Sequence, residues 1–479
     1  MPVAVPTPGR IFEALETEHD YWLDEVEGRL PDDLAGTLYR NGPGRLEIGG
    51  SPLGHMFDGD GMLAMFAFDG GRVRFRNRYV RTSHYRAGQS SVGAPMRGLG
   101  TLRPGGPLAN ALRMPANVAN TSVALHAGEL LALWEGGKPH ALDPDTLATR
   151  GVYDFDGQLR WLGAFSAHPK VDPLTGDLYN FGAEVVPRPA LRSYRVDTRG
   201  RMHRLGAISL PEPVFCHDFA LTQQNLVFVV DPLGLAKRAL PGVLLGLTSF
   251  DRALRFDAGR GTTILIQPRD GGKVRRITVP AFLHFHISNA YDDGTDVVVD
   301  LVRWDRDWES FNQSLRAYRP DDPDRPDDWQ FGGVLTRLRI TPADRVIIEE
   351  LADVFGEFPQ LDQRRATRAH RFSYLAGRVR PGEEADAIVG IDHELDRVRA
   401  HALPPGHTVS EPVFVPRSDD AAEDDGWLLA VAYDPFAHRS RLLVLDARRI
   451  EDAAVFVGHL PHHLPQSFHG TFTSRVARP

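Results

Sequence analysis

The chain has 479 residues, a formal net charge of −8, 42% hydrophobic residues and 25% charged residues. This is the composition of an ordinary globular protein, and no basic stripe is present of the kind that nucleic-acid binding needs. The one cysteine, Cys216, excludes an internal disulfide and any cysteine-rich zinc or iron–sulfur site.

The N-terminal region carries no targeting signal that we can identify. Its first ten residues, MPVAVPTPGR, lack the apolar core of a secretory signal, and no window of the chain reaches 18 consecutive apolar residues. These features predict a cytoplasmic protein. Helical periodicity around Ile11–Glu27 then predicts a helical extension over about the first 30 residues.

Strand–turn–strand signals recur from about residue 36 onwards. Short β-branched and aromatic runs are separated by Gly, Asp and Pro, as in LDPDTLATRG, NAYDDGTDVVVDL and AEDDGWLLAVAYD. Further helical spacing is confined to short inserts near Leu108–Met114 and Leu240–Leu247. The acidic, proline-rich stretch Arg319–Asp328 (RPDDPDRPDD) predicts a long surface loop.

Many short antiparallel strands suit either several sandwiches in series or one propeller. No Pro/Gly/Ser-rich linker divides the chain, and a ring of about seven blades with about 60 residues each fits the length. We therefore predict an all-β protein with one domain over residues 1–479, and favour the propeller.

Four of the 19 histidines stand out by context: two lie where an apolar run meets a turn, a third lies in the segment FLHFHISNAYDDG, and the fourth lies in SFHGTF near the C-terminus. They are separated by 49, 69 and 183 residues, too far for local zinc-type spacing, so they could meet only in a fold that brings distant strand ends to one axis. Neutral imidazoles suit iron, copper, zinc and nickel alike, so spacing leaves the metal open. The four are His168 (SAHPK), His217 (FCHDF), His286 (HFHIS) and His469 (SFHGT).

Three glutamates lie in or beside apolar sequence, where an unpaired carboxylate would be costly. They are Glu135 (LLALWEGG), Glu357 (GEFPQ) and Glu411 (SEPVFVP). Such carboxylates could accept the second ring N–H of metal-ligating histidines and orient them. The alternative is that each is an exposed glutamate in a turn.

Several ordered motifs make the chain resemble a known family. Residues 36–82 read GTLYRNGPG…GHMFDGDGMLAMFAF…GRVRFRNRYVRT, and ANTSV, LLALWE, HDFALT, EFPQ, EPVFVPR and FHGTF follow in order. From about Tyr21 to the C-terminus the chain resembles the carotenoid cleavage oxygenases. The resemblance implies a seven-bladed β-propeller with Fe(2+) on its axis, under a dome of loops and helices. It also implies O₂-dependent cleavage of a C=C double bond into two carbonyl products, without a reducing cofactor.

The resemblance also implies roles for particular residues. The iron ligands fall on His168, His217, His286 and His469, and the carboxylates behind them on Glu135, Glu357 and Glu411. Thr121, in ANTSV, matches the residue that crowds an open iron position. His284 remains a rival of His286, because both would face the same side of a strand. His55, His462 and His463 match no ligand of the family.

The implied substrate is an apolar small molecule that reacts with O₂. Segments such as DYWLDEVEG and PLANALRMPANVANTSV look closest to bacterial members that cleave apocarotenoids. Members that cleave stilbenes or phenylpropenes are the alternative, and a vertebrate-type retinyl ester isomerohydrolase fits less well. From another class, a propeller without metal could merely bind apolar ligands. We infer no nucleic acid and no obligate protein partner.

Two leucine-rich segments predict peripheral contact with a membrane. Pro232–Phe250 and Leu99–Met114 each combine apolar residues with arginines or a lysine, as interfacial helices do. The alternative is that these leucines pack on the core of the protein.

Overall fold

Alternating side chains explain why the strands form where they do. In the strand Asp296–Trp304, Val297, Val299 and Leu301 enter one hydrophobic cluster, whereas Val302 and Trp304 enter another. A strand that is buried on both faces needs apolar residues on both, which the run DVVVDLVRW provides. Gly294, at φ +62°, makes the tight turn that leads into this strand.

The computed structural model describes residues 8–185, 188–304, 308–318 and 331–478. Within these ranges every strand pairing is antiparallel, and the strands form six sheets of four or more strands and two ribbons of two strands. The prediction of an all-β protein with few helices is confirmed.

The first four sheets are small. From edge to edge, the first runs through Asp20–Trp22, Arg72–Tyr79, Asp60–Asp69, Gly36–Arg45 and Gly470–Thr473. The second runs through Thr149–Val152, His140–Leu142, Glu129–Leu133 and Ser122–His126. The third runs through Lys170–Val171, Leu178–Glu184, Ala190–Val196 and Met202–Ser209. The fourth runs through Ala220–Leu221, Asn225–Val230, Thr262–Pro268 and Arg275–Val279.

The fifth and sixth sheets are larger. The fifth contains Leu283–Asp293, Asp296–Trp304, Gly333–Ile340, Val346–Gln360, Phe372–Arg378, Ala387–Asp392 and Arg397–Ala402. The sixth contains Val26–Gly28, Phe456–His459, Arg439–Asp446, Gly426–Asp434 and Thr408–Val409, with Val413–Pro416 also paired to Gly426–Asp434. The ribbons are Leu233–Leu235 with Leu254–Phe256, and Glu47–Ile48 with Ser51–Pro52.

The long strand Val346–Gln360 divides the fifth sheet into two halves. Residues 346–350 pair with Gly333–Ile340, residues 357–360 pair with Phe372–Arg378, and Phe355 and Gly356 between them pair with both. One strand therefore belongs to two successive groups of strands.

Seven of the hydrophobic clusters lie between groups of strands. Six of them join the first sheet to the second, the second to the third, the third to the fourth, the fourth to the fifth, the fifth to the sixth and the sixth to the first. The seventh lies between the two halves of the fifth sheet. The core is therefore distributed among the sheets and not gathered at one centre.

The helices are short and lie before the first strand or in the connections between strands. The α-helices are α1 (Ser83–Gly88), α2 (Gly106–Asn110), α3 (Leu240–Leu244) and α4 (Trp308–Arg316). The 3₁₀ helices are Pro8–Phe12, Met56–Asp58, Asp251–Ala253, Ala258–Arg260, Gln363–Arg365 and Ala447–Arg449. Helices α2 and α3 confirm the two predicted inserts, although both are shorter than expected. The stretch 319–328, expected to be a surface loop, lies outside the described residues.

The predicted N-terminal helical extension is wrong. Within Ile11–Glu27 only the end of a 3₁₀ helix is helical, and the strand Asp20–Trp22 follows, with Val26–Gly28 beginning near its end. These strands pair with outer strands of the first and sixth sheets. Edge strands offer unpaired N–H and C=O groups, and satisfying them outweighs the local helical spacing.

Candidate metal centre

The four predicted histidines lie at edge strands of four different sheets. His168 stands two residues before the edge strand of the third sheet, and His217 three residues before that of the fourth. His286 lies within the edge strand of the fifth sheet, and His469 directly precedes that of the first. Each of the four side chains thus lies in an edge strand of a different sheet or just before it.

These histidines converge on one point. The Nε2 atoms of His168 and His217 are 3.0 Å apart, and those of His217 and His286 are 3.2 Å apart. The ring of His469 lies 4.7 Å from the rings of His168 and His286, centroid to centroid. One ligand atom from each residue lies within 4.8 Å of the others, and all four residues are buried.

Three of the rings are held from behind by the three predicted glutamates. Glu357 Oε2 lies 2.6 Å from Nδ1 of His286, and Glu411 Oε1 lies 3.0 Å from Nδ1 of His469. Glu135 Oε1 is in direct contact with Nδ1 of His217. Glu357 and Glu411 are buried, so they are not exposed glutamates in turns, whereas the Glu135 side chain is 24% exposed.

This arrangement fits a metal ion. Because a carboxylate acceptor keeps the proton on Nδ1, the rings of His286 and His469 present the bare lone pair of Nε2 to the centre. The Nε2 atoms of His217 and His286 lie 3.2 Å apart; when neither carries a proton their lone pairs repel each other, and a cation between them removes that repulsion. Imidazole nitrogen is a ligand that suits several divalent transition metals.

Electrostatics favours neutral rings at His168 and His469. Burial, followed by the neighbouring histidines, holds the pKa of His168 well below its ordinary value. Burial also lowers the pKa of His469, although the charge of Glu411 acts against it. At His286 burial acts in the same direction, but the charge and hydrogen bond of Glu357 outweigh it and raise the pKa.

His284, the rival of His286, does not belong to this group. Its Nδ1 lies 2.8 Å from Asp231 Oδ1, and its backbone N–H donates to Asp231 Oδ2. The register with the neighbouring strand shifts between His284 and Ile287, which marks a bulge. A bulge changes the direction of nearby side chains, so the two histidines do not share a target as a regular strand would require.

An apolar cavity of about 550 Å³ opens onto three of the four histidines, His217, His286 and His469. Its wall includes Thr121, whose hydroxyl is 3.2 Å from Asn120 Oδ1, and Phe358, whose ring lies 5.1 Å from that of His286. Most other wall residues are aromatic or aliphatic. A cavity of this size can enclose a small apolar molecule.

Several residues of the site were missed by the reasoning from sequence. Trp304 Nε1 donates to Glu357 Oε1 at 2.6 Å, and Gln360 Nε2 donates to Glu411 Oε1 at 2.8 Å. Phe358 has a φ of +56°, which is unusual for a bulky residue and places its N–H 2.8 Å from Glu357 Oε2. Gln360 and Phe358 belong to the motif EFPQ, which could have indicated them, but no local pattern indicates Trp304.

The two leucine-rich segments meet beside the cavity. The N–H of Leu112, just after α2, donates to the carbonyl of Leu244 at the end of α3. Leu112 and Leu244 line the cavity and are 81% and 45% exposed. Other exposed apolar side chains in the same segments are Leu102, Leu108, Met114, Leu240, Leu245 and Leu247.

Not all of the predicted apolar residues are exposed. Leu233 and Val243 are buried, so part of the segment Pro232–Phe250 packs on the core. None of the helices in the described part of the chain combines the length and the hydropathy that crossing a bilayer requires.

Comparison with known proteins gives matches over nearly the whole chain. The apocarotenoid-15,15′-oxygenase of Synechocystis sp. is 36% identical over 97% of this chain and 95% of its own length. The isoeugenol monooxygenase of Pseudomonas nitroreducens is 31% identical over 96% of each chain.

Solved structures match equally well. A glutamate-to-glutamine variant of Synechocystis apocarotenoid oxygenase has a TM-score of 0.89 at 34% identity, covering 97% of this chain and 98% of that one. A cobalt-substituted form of the same oxygenase has a TM-score of 0.88 with the same coverage of both chains. Together with the four histidines, this indicates a metal cofactor.

The family assignment follows from a match along the chain. The family model described as RPE65, retinal pigment epithelial membrane protein, matches residues 12–474. Its matched range includes all four histidines and all three glutamates. The chain belongs to the carotenoid cleavage oxygenase family, to which the retinal pigment epithelial membrane protein also belongs.

Proposed function

We propose that this protein is a non-haem iron(II) dioxygenase that cleaves a C=C double bond of an apocarotenoid or carotenoid into two carbonyl products. The observation that carries the proposal is the group of four histidines, with Nε2 atoms facing one another, at the wall of an apolar cavity. The 36% identity with an apocarotenoid oxygenase along nearly the whole chain supports the substrate class.

We propose a single domain, a seven-bladed propeller, as the frame of this site. The two halves of the fifth sheet and the five other sheets make seven groups of strands, each sharing a hydrophobic cluster with the next. Each group also contributes one of the seven site residues. In chain order these are Glu135, His168, His217, His286, Glu357, Glu411 and His469.

Iron(II) is the metal we assign, and His168, His217, His286 and His469 would hold it. When bound, iron(II) supplies the activation of O₂, which zinc cannot supply because it has no redox chemistry. The three glutamates accept the Nδ1 protons and fix the orientation of three rings. All four ligands are neutral, so the protein adds no negative charge directly to the metal.

The cavity wall positions the substrate and excludes water. Its aromatic and aliphatic side chains would hold an extended apolar substrate beside the histidines and keep bulk water away from them. Thr121 lies in this wall, and we assign it the role of narrowing the space at one open coordination position. Substrate specificity then depends on the shape of the wall and on the few polar groups in it.

The alternative function is cleavage of a stilbene or a phenylpropene. The identity of 31% with an isoeugenol monooxygenase supports it.

The test is aerobic incubation of the iron(II)-loaded protein with an apocarotenal and, separately, with a hydroxystilbene, under ¹⁸O₂. We expect cleavage of the apocarotenal into two carbonyl products, each containing one labelled oxygen when the assay is short enough to limit exchange with water. The matched control is the His286→Ala protein under the same conditions.

Each other outcome contradicts a defined part of the proposal. Cleavage of only the hydroxystilbene would establish the alternative function. Label in only one product, with exchange controlled, would mean monooxygenase chemistry. Turnover without O₂ would mean isomerisation or hydrolysis.

We also propose that the protein contacts membranes peripherally at the exposed leucines around α2 and α3. Leu112 and Leu244 belong both to this surface and to the cavity wall, so a lipid-dissolved substrate could enter there without crossing water. Lys237, with an 88% exposed side chain, lies just before α3 and suits an interfacial position.

A further inference from the structure

Trp304 donates a short hydrogen bond to the glutamate behind His286. Its Nε1 lies 2.6 Å from Glu357 Oε1, and the two residues are 4% and 3% exposed. The other oxygen of Glu357 accepts from His286 Nδ1 at 2.6 Å and from the N–H of Phe358 at 2.8 Å. The carboxylate therefore has three donors, of which one is the indole.

The carboxylates of the other two glutamates have different surroundings. Glu411 accepts from Gln360 Nε2 at 2.8 Å and from the N–H of Gly470 at 2.7 Å, close to the buried Arg40. Glu135 is 24% exposed and lines the cavity. Among the described residues, Trp304 is the side chain other than His286 that donates to Glu357.

The indole is held in place and also faces the cavity. Its ring packs edge-on against Phe311 at 4.9 Å, and its backbone lies opposite Leu283 in the fifth sheet, three residues before His286. Trp304 belongs to the cavity wall together with Phe311. A single side chain thus contacts both the space for the substrate and the carboxylate behind a ligand.

We propose that Trp304 is a positioning residue that sets how strong a lone-pair donor the ring of His286 is toward the iron. A carboxylate that already accepts a short N–H bond attracts the Nδ1 proton of histidine less strongly. The ring is then a weaker donor, and a weaker donor favours the ferrous state over the ferric state. The inference rests on the proposed iron site.

The test compares the iron-loaded Trp304→Phe protein with the wild type. Phenylalanine keeps an aromatic wall and removes the N–H, so Glu357 should attract the His286 proton more strongly. We expect the ratio of ferric to ferrous affinity to rise about tenfold, which is about 59 mV toward a lower potential for a one-electron couple. The visible spectrum of the cobalt(II)-loaded variant should shift, and kcat should fall with KM nearly unchanged.

Trp308→Phe is the matched control. Trp308 is 2% exposed and belongs to the same hydrophobic cluster, but it makes no hydrogen bond to any of the three glutamates among the described residues. Its replacement should lower stability as the Trp304 replacement does, while the potential and the cobalt spectrum stay at wild-type values.

The inference is overturned if Trp304→Phe folds, binds iron and keeps the wild-type potential and cobalt spectrum, because Trp304 is then a packing residue. If Trp304→Phe does not fold, Trp304 alone is replaced by the benzothiophene analogue of tryptophan. This analogue keeps the shape of the ring and lacks the N–H, and the same criteria apply to it. A wild-type protein that binds no iron would instead contradict the proposed function.

Discussion

Buried histidines in this chain differ in which ring nitrogen is already engaged. In His286, Nδ1 faces Glu357 and leaves Nε2 for a metal, whereas in His284 Nδ1 faces Asp231. The sequence context indicated the four converging histidines, but it left His284 open, because the bulge that separates the two residues depends on pairing with the next strand. Glu357 is 71 residues away from His286 in sequence, so no local pattern specifies that contact.

The first prediction compares these two histidines. His286→Ala should lose most bound iron, because it removes one of four converging nitrogens, whereas His284→Ala should keep it, because Asp231 retains the backbone N–H of residue 284. Metal content after gel filtration, measured by mass spectrometry, gives the answer. Full occupancy in His286→Ala would remove this residue from the ligand set.

The second prediction concerns the carboxylates. Glu357→Gln and Glu411→Gln keep the shape of the side chain but remove the charge that holds the Nδ1 proton. Metal affinity should fall about 10–100-fold, as is typical for groups behind metal ligands. Affinity is measured by competition with a chelator, and Glu350→Gln, on the same strand as Glu357 but with a 56% exposed side chain, is the control. Wild-type affinity in both variants would contradict the assignment.

A third prediction follows from a separate group of buried polar residues. Asn289 Nδ2 donates to His370 Nδ1 at 3.1 Å, His370 Nε2 lies 3.1 Å from Ser373 Oγ, and Ser373 Oγ lies 2.9 Å from His393 Nε2. A proton on His370 Nδ1 would face an N–H donor. Burial lowers the pKa of His370 to about 3 and that of His393 to about 4.

The sign of the pH effect follows from these values. Both rings stay neutral in the folded protein, while in the unfolded chain they bind protons as the pH falls below about 6.5. The free energy of unfolding should therefore decrease between pH 6.5 and 4, by up to about 1.4 kcal/mol per pH unit for each histidine. The free energy of unfolding of His393→Gln, measured by urea unfolding at pH 7, 6 and 5, should therefore change less with pH. The difference from the wild type should be about the contribution of one histidine. An unchanged slope would show that His393 does not contribute.

Among the elements, the segments that pair over long distances were the hardest to predict. The local strand–turn–strand patterns were confirmed, for example His140–Leu142 with Thr149–Val152. The strands Asp20–Trp22 and Val26–Gly28 were mistaken for a helix, since their partners lie far along the chain. Helix α4 was missed, although Trp308, Phe311 and Leu315 have helical spacing.

The fourth prediction concerns the surface formed by α2 and α3. Each exposed leucine that enters lipid gains about 1.5–3 kcal/mol at most, so several give reversible attachment. Leu108 and Leu245 are 93% and 57% exposed and do not line the cavity. The wild type should float with liposomes, and Leu108→Glu/Leu245→Glu should float less while keeping its activity on detergent-dispersed substrate.

The control for flotation is Ile347→Glu/Leu395→Glu. These two side chains are 42% and 64% exposed; Ile347 lies on the strand Val346–Gln360, Leu395 lies in the turn between Ala387–Asp392 and Arg397–Ala402, and neither lines the cavity. This protein should float like the wild type. Equal flotation of all three proteins, or of none, would contradict a membrane contact at α2 and α3.

At the scale of the whole molecule, the order of the hydrophobic clusters carries the most information. Seven of the clusters each join neighbouring groups of strands, and one of these joins the sixth sheet to the first. The sequence predicted an all-β chain because strand and turn signals are local. The chain length suggested about seven groups, but the boundaries between groups could not be read from the sequence, because the internal repeat is weak and the strand Val346–Gln360 pairs with strands of two groups.

The pairing of Gly36–Arg45 with Gly470–Thr473 has a consequence for how the protein folds. Thr37 and Arg475, which are hydrogen-bonded beside this pairing, are 438 residues apart in sequence, and His469 directly precedes the later strand. Contacts at such separations form late, because the entropy of closing the intervening loop must first be overcome. Most strands pair with a neighbour in sequence, so most of the secondary structure can form early. The metal-binding group is complete only after this late pairing, so metal uptake during refolding should lag behind the recovery of far-ultraviolet circular dichroism and report the final step of folding.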